Sequence, residues 1–318
     1  MNQRPGYQLE AAGARPAGGQ GDDARGAGPE RLAPPGGGDR PLLITGATGT
    51  LGVALARRCE ARALRFVAAT RAQLDLSDAG AIARALDAAR PWAVVNAAGY
   101  VRVDEAEDDA AACFEANAAG PARLAEACAR RDVKLLTFST DLVFDGSKRA
   151  PYVESDPVAP LNVYGRSKAE AERRALEALP GALVVRTSAF FGPWDGANFV
   201  TLSLGELAAG RPVVASDAVV SPTYVVDLAH ASLDLLLGGA EGGIWHLAND
   251  GACTWAELAR RAAGLVGVPP GGVETRPASE LGMRAPRPAY SALGTERPRL
   301  MPGLDDALAR YVRERVAR

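Results

Sequence analysis

The stretch PLLITGATGTLG, Pro41 to Gly52, decides the fold. Leu42, Leu43 and Ile44 form a short apolar run that reads as a buried strand. Thr45-Gly46-Ala47-Thr48-Gly49 breaks the run, and Leu51, Val53, Ala54, Leu55 and Ala56 open a helix. Strand, glycine turn and helix in that order make the setting for a phosphate-cradling loop. Gly46 would allow the tight turn, and Gly49 would let the backbone touch a pyrophosphate. Gly52 would let the helix lie close on the strand. The free amides of the first helical turn would then face the phosphates.

Strands and helices alternate outward from this stretch. Residues 51–62 read as a helix, and Arg65 to Ala69 as a second strand. Leu74-Asp75-Leu76 fills a loop or short strand, and Ser77 or Asp78 caps a helix running to about Ala89. Trp92 to Asn96 is a strand leading into Ala97-Ala98-Gly99, and a long helix covers Asp109 to Arg131. Val133 to Ser139 and Ala182 to Thr187 are further strands, separated by a helix over Asn162 to Leu179 that stops at Pro180-Gly181. Strands separated by helices of this length predict an α/β protein with a Rossmann-type, doubly wound parallel sheet. Beyond Ser188 the pattern predicts helices near 198–209, 224–238, 254–266 and 304–316, and a strand near 243–248. The expected organisation is a Gly/Pro/Arg-rich tail without structure (1–39), a dinucleotide-binding domain (40–187) and a smaller C-terminal substrate-binding lobe (188–318). Some elements of the lobe are expected to return to the first domain.

Composition narrows the function classes. Of 318 residues, 36 are Lys or Arg and 38 Asp or Glu, a net charge of −2 that argues against a nucleic-acid partner. No apolar run reaches the length of a membrane span, and the N-terminus has no apolar signal segment. The scattered Cys59, Cys113, Cys128 and Cys253 lack metal-ligand spacing and read as reduced thiols of a cytoplasmic protein. His230 and His246 read as structural or surface residues, and no metal site is expected.

The site residues come from a second stretch, NVYGRSK. Tyr164 and Lys168 lie one helical turn apart and share a face. A tyrosine at its free pKa is a poor acid at neutral pH, and a neighbouring ammonium would pull that pKa toward the working range. The pair suits proton transfer to a ketone oxygen, with Lys168 also able to hold a ribose. Only three lysines stand among the 36 basic side chains, so a lysine at this place carries weight. Ser139-Thr140-Asp141 ends the strand before that helix. Thr140, or else Ser139, could hydrogen-bond the same ketone oxygen. Asp75 could accept a hydrogen bond from an adenine amine. No acidic residue ends the second strand to hold the ribose of NADH. Arg71 stands there instead and could meet a 2′-phosphate, so NADPH is expected, with NADH the alternative.

Together TGATGTLG, LDLSD, NAAG, STD and YGRSK resemble the extended short-chain dehydrogenase/reductases. The stretches VVNAAGYVRVDEAE (94–107), FSTDLVFDG (138–146), PYVESDPVAPLNVYGRSKAEAE (151–172), RTSAFFGPWDGANFV (186–200), VVSPTYVVDLAHA (219–231) and GIWHLANDGACTWAELA (243–259) resemble the dTDP-4-dehydrorhamnose reductase family. The resemblance covers about 41–316. It implies NAD(P)H-dependent reduction of the carbon-4 ketone of a nucleotide-linked 6-deoxysugar, with Thr140, Tyr164 and Lys168 catalytic and Tyr164 giving the proton. The candidate cofactor residues are Gly46, Thr48, Gly49, Thr50, Leu51, Gly52, Arg71, Asp75, Leu76, Ala97, Ala98, Gly99, Tyr164 and Lys168. Those for the sugar nucleotide are Tyr100, Val101, Thr140, Asp141, Phe191, Trp194, Asn198 and Thr223, with core packing the competing role for the aromatics. Two positions depart from the family. Leu142 stands where a Tyr is usual, and Ala189 where an aromatic is usual. Dehydratases of similar sequence place Asp-Glu after the threonine, and here Asp141 is followed by Leu142. An epimerase or a non-catalytic regulatory subunit of the same fold are the other readings, and a homodimer is the assembly considered.

Overall fold

A computed structural model describes residues 39–316, so the tail assigned to 1–39 lies outside the described residues except for Asp39. The elements follow in chain order. They begin with β1 (Leu42–Thr45), α1 (Thr50–Ala61), β2 (Phe66–Ala69), α2 (Ala79–Ala89) and β3 (Ala93–Asn96). Next come α3 (Ala110–Phe114), α4 (Gly120–Ala129), β4 (Lys134–Thr140), α5 (Val163–Ala178) and β5 (Leu183–Thr187). The second half holds β6 (Phe190–Phe191), α6 (Phe199–Ala208), β7 (Val213–Ser216), β8 (Val219–Val220), β9 (Thr223–Tyr224) and α7 (Val225–Leu237). It closes with β10 (Gly243–His246), β11 (Cys253–Thr254), α8 (Trp255–Leu265), β12 (Val273–Arg276) and α9 (Leu304–Val316).

Six strands form one parallel sheet in the order β10-β5-β4-β3-β1-β2. Both faces are covered, so the strands read as unbroken apolar runs rather than alternating ones. Leu42, Ile44, Val95, Leu136 and Val185 pack with Leu55 of α1 and Leu228 and Leu236 of α7. Leu43, Val94, Leu135 and Val184 face the opposite way, onto Ile82 and Leu86 of α2, Leu124 of α4 and Ala175 of α5. β10 and α7 therefore return to the sheet from late in the chain. A separate core gathers Phe191, Leu204, Tyr224, Leu258, Leu308 and Tyr311. Around it β7 pairs with β12 and β6 with β9, both parallel, and β8 pairs with β11 antiparallel.

Two local readings need correction. The helix expected over Asp109 to Arg131 starts at Ala110, ends at Ala129, and is interrupted by a π-helical turn at Glu115–Ala119. Gly52 does not bring α1 against the strand. A Cβ there would lie 2.2 Å from the Gly46 carbonyl oxygen, so it packs the helix against its own turn.

After β2 the chain crosses back over β1 to reach β3. The crevice at the carboxyl ends of β1 and β3 is where such sheets take ligands. A hydrogen-bonded row stitches these ends together. Thr45 donates to Asn96 Oδ1 at 2.7 Å, and Asn96 donates to Thr137 at 3.1 Å.

Candidate active site

The glycine turn sits in that crevice. Gly46 has φ +65°, and a Cβ on it would come within 2.6 Å of the Ala97–Ala98 backbone, so only glycine fits. α1 begins after Gly49 with no side-chain cap and no acidic residue in its first turn. Its leading amides therefore suit an anion. The Arg71 side chain is 87% exposed and pairs with Asp75 at 3.3 Å. Asp75 also accepts from the Ser77 amide and hydroxyl, which hold its carboxyl below the usual carboxylate range. Leu76 is buried beside Gly120. These residues fit a dinucleotide, with pyrophosphate at the turn and an exposed cation at the end of β2.

Ala97-Ala98-Gly99 follows β3. Asn96 Oδ1 accepts from the Ala98 amide at 3.2 Å. A Cβ on Gly99 would lie 2.9 Å from Asn117 Oδ1 and 3.4 Å from Lys168 Nζ. This glycine therefore lets the β3 loop lie against the π-helical turn and the Lys168 side chain. Asn117, in the π-helical turn, was not among the sequence candidates. It accepts from the Tyr100 amide (2.8 Å) and donates to the Tyr100 carbonyl (3.0 Å) and Ser167 Oγ (3.1 Å). Ser167 in turn donates to the Tyr164 carbonyl at 2.7 Å. The available signal was a polar side chain inside the run EANAAG.

α5 starts after Asn162, whose Oδ1 caps the Gly165 amide at 2.7 Å and whose Nδ2 donates to the Pro286 carbonyl at 2.9 Å. Lys168 is 9% exposed and donates to the Phe138 carbonyl at 3.1 Å. Burial pushes its ammonium down to about 8. Its nitrogen lies 5.9 Å from the centre of the Tyr164 ring. The expected lowering of Tyr164 is not seen. Burial, then the Asp141 carboxylate, push the phenol above its ordinary value, while a hydrogen bond with Thr140 works against the rise. A raised phenol stays protonated, the form a general acid must start in.

Thr140 ends β4 opposite Thr187 of β5 and is the hydroxyl that meets Tyr164. It accepts from the Leu142 amide at 3.2 Å and lies 3.1 Å from Asp141 Oδ1. Asp141 is buried and accepts from Ser291 at 2.5 Å. Both of its oxygens are thus engaged with the protein, which removes it from the residues facing a sugar.

The other sugar-pocket candidates divide. Tyr100 lies under the Arg102 guanidinium, and Val101 is 73% exposed. Phe191 is a core residue stacked on Tyr224 at 5.3 Å. Asn198 caps α6 through the Thr201 amide and holds the Gly192 and Asp195 carbonyls. Thr223 is fully buried and donates to Ser221. Trp194 packs under Arg57 of α1, while its neighbour Asp195 accepts from Thr50, so this loop borders the glycine turn. Phe191, Asn198 and Thr223 serve packing and loop geometry, where residue type alone misled, whereas part-buried Trp194 stays at the edge of the glycine turn. Ala189 has φ +40°, an uncommon conformation for a side-chain-bearing residue and one concentrated at functional sites.

A Rossmann-type sheet with a glycine cradle at its switch point and Thr, Tyr and Lys converging beside it defines an extended short-chain dehydrogenase/reductase. Residues 40–309 match the family profile described as the RmlD substrate binding domain. The chain belongs to the dTDP-4-dehydrorhamnose reductase family. It is 39% identical to the dTDP-4-dehydrorhamnose reductase of Mycolicibacterium smegmatis over 259 residues, 80% of this chain and 78% of that protein. It is 37% identical to a dTDP-4-keto-6-deoxy-D-glucose reductase of Streptomyces niveus, covering 79% and 88%. The crystal structure of dTDP-4-dehydrorhamnose reductase from Bacillus anthracis in complex with NADP superposes with a TM-score of 0.82 at 28% identity, covering 86% of this chain and 99% of that one.

Proposed function

We propose that this chain reduces the carbon-4 ketone of a dTDP-linked 4-keto-6-deoxy sugar, with dTDP-4-dehydro-L-rhamnose giving dTDP-L-rhamnose as the first candidate. The observation that carries the reading is the meeting of Thr140, Tyr164 and Lys168 at the strand ends beside the glycine cradle. Residues 46–52, Arg71 and 97–99 would hold NADPH, which would supply the hydride for the carbonyl carbon. Thr140 and Tyr164 hydrogen-bond the ketone oxygen, and Tyr164 transfers its proton to that oxygen as charge develops there. Lys168, as the ammonium, stabilises the phenolate left behind and holds a ribose hydroxyl. Residues 40–187 would carry the cofactor together with Thr140, Tyr164 and Lys168, and the part of 188–318 that builds the second core would close over the sugar nucleotide. The enzyme works in the cytoplasm, and a homodimer is the assembly to test by light scattering.

Leu142 and Ala189 bear on which sugar is used, because Leu142 gives its amide to Thr140 and Ala189 follows Ser188, which stands beside Asp141. The test is NADPH oxidation with a panel of dTDP-4-keto sugars, including the dehydrorhamnose and 4-keto-6-deoxy-D-glucose forms. The rhamnose precursor should be consumed fastest. Faster use of another sugar would change the substrate, and no oxidation with any member would remove the reductase reading.

A further inference from the structure

Asp141 has an unusual position for a carboxylate. It is 5% exposed, and its hydrogen-bond partners are hydroxyls rather than a cation: Ser291 at 2.5 Å and Thr140 at 3.1 Å, with Ser188 close by. Ser291 lies 150 residues away in sequence and reaches the strand end from the segment that crosses back between β12 and α9. That segment is tied to the site elsewhere, through Pro286 to Asn162 and Ala285 to Asp104.

Thr140 has one proton to give, and its oxygen already accepts from the Leu142 amide. An ionised carboxylate can only accept. With Asp141 ionised, the carboxylate draws the Thr140 proton to itself, as in the 3.1 Å contact, and away from a ketone oxygen. With Asp141 neutral, its own O–H can donate to Thr140. The Thr140 proton is then free to turn toward a ketone held beside Tyr164. Ser291 donates to the other carboxyl oxygen in both states. Charge favours the same state. An Asp141 carboxylate opposes loss of the Tyr164 proton, since two anions would then share one buried space.

We propose that Asp141 is a positioning residue for Thr140, anchored by Ser291, and that the reaction proceeds with Asp141 as the neutral carboxylic acid. This rests on the reductase reading above. The groups facing Asp141 come from several elements. α5 presents Tyr164. Lys168, one turn on, hydrogen-bonds the Phe138 carbonyl and responds to Cys113 and Glu172. The end of β5 presents Ser188, and the returning segment presents Ser291, whose neighbour Tyr290 responds to Lys148.

The experiment measures kcat against pH, at saturating NADPH and sugar nucleotide, for the wild type, Asp141→Asn and Ser291→Ala. Asparagine reproduces the neutral acid, since its amide donates to Thr140 and its carbonyl accepts from Ser291. Asp141→Asn should keep kcat within about threefold of wild type on the acid side and lose the alkaline fall due to Asp141. Ser291→Ala removes a donor that favours the carboxylate, so the fall should move about one pH unit higher with the sugar KM within about twofold. A loss of more than about tenfold in Asp141→Asn with an unchanged melting temperature would overturn the proposal, as would an alkaline fall identical in all three proteins. A second readout needs no turnover. The infrared difference spectrum of the wild type minus Asp141→Asn, at about pH 5.5 where an ordinary aspartate is ionised, should contain a carboxylic-acid C=O band. Carboxylate bands alone contradict the proposal. Absent turnover in the wild type removes the reductase reading, while the infrared result still decides the state of Asp141.

Discussion

Lys168 and Tyr164 show how far single residues could be read. Their spacing on one helical face identified the pair, because a turn of helix is a local fact. The direction of the Tyr164 shift was not legible. It depends on burial and on Asp141, and neither is encoded in the four-residue spacing. Asp141 misled for the same reason, since its partner Ser291 is remote in sequence. The Lys168 ammonium carries its own prediction. Burial sets its pKa at about 8, so the charge is present at neutral pH and is lost as pH rises through that value. The Kd for NADPH, followed by fluorescence titration, should therefore rise about three- to tenfold between about pH 7 and pH 9.5. Lys168→Met should bind more weakly at neutral pH and lose that dependence. A wild-type Kd that stays flat across the range would detach Lys168 from the cofactor.

Elements with strong local signals were legible nearly to the residue. α2 starts after Asp78, which accepts from the Gly80 amide, and α6 starts after Asn198, which accepts from the Thr201 amide. Caps of this kind act within one turn and leave their mark in the sequence. The π-helical turn at Glu115–Ala119 left no such mark, because an alanine-rich run suits either helix. Yet that turn places Asn117 where it holds Tyr100 and Ser167 together. The four-residue strands β7 and β12 and the two-residue strands β6, β8, β9 and β11 were also missed. Their pairing is set by the tertiary contacts around the second core rather than by their own patterns.

At the scale of the whole molecule, the alternation of strands and helices up to β5 specified the parallel sheet. The strand near 243–248 was visible, but its place beside β5 was not, since nothing local distinguishes a strand that returns to the sheet from one that stays in a lobe. A buried ion pair joins three of these elements. Arg186 of β5 donates to Glu172 of α5 through two bonds, 2.8 and 2.7 Å, with both side chains under 10% exposed. His246 of β10 lies 3.4 Å from the same guanidinium. Removing one partner strands a charge in the core. Arg186→Met should lower unfolding stability by about 3–5 kcal/mol in urea titrations, and adding Glu172→Met should restore most of it. A double variant as unstable as the single would mean that packing, not the stranded charge, sets the cost.

The central claim is that Tyr164 gives the proton while the glycine cradle and Lys168 hold the cofactor. The most direct measurement compares Tyr164→Phe with the wild type in two assays, steady-state NADPH oxidation with dTDP-4-dehydro-L-rhamnose and equilibrium NADPH binding. The account predicts a kcat lower by about 10²–10⁴-fold with Kd changed less than about threefold. Turnover near the wild-type rate in the phenylalanine variant would contradict it.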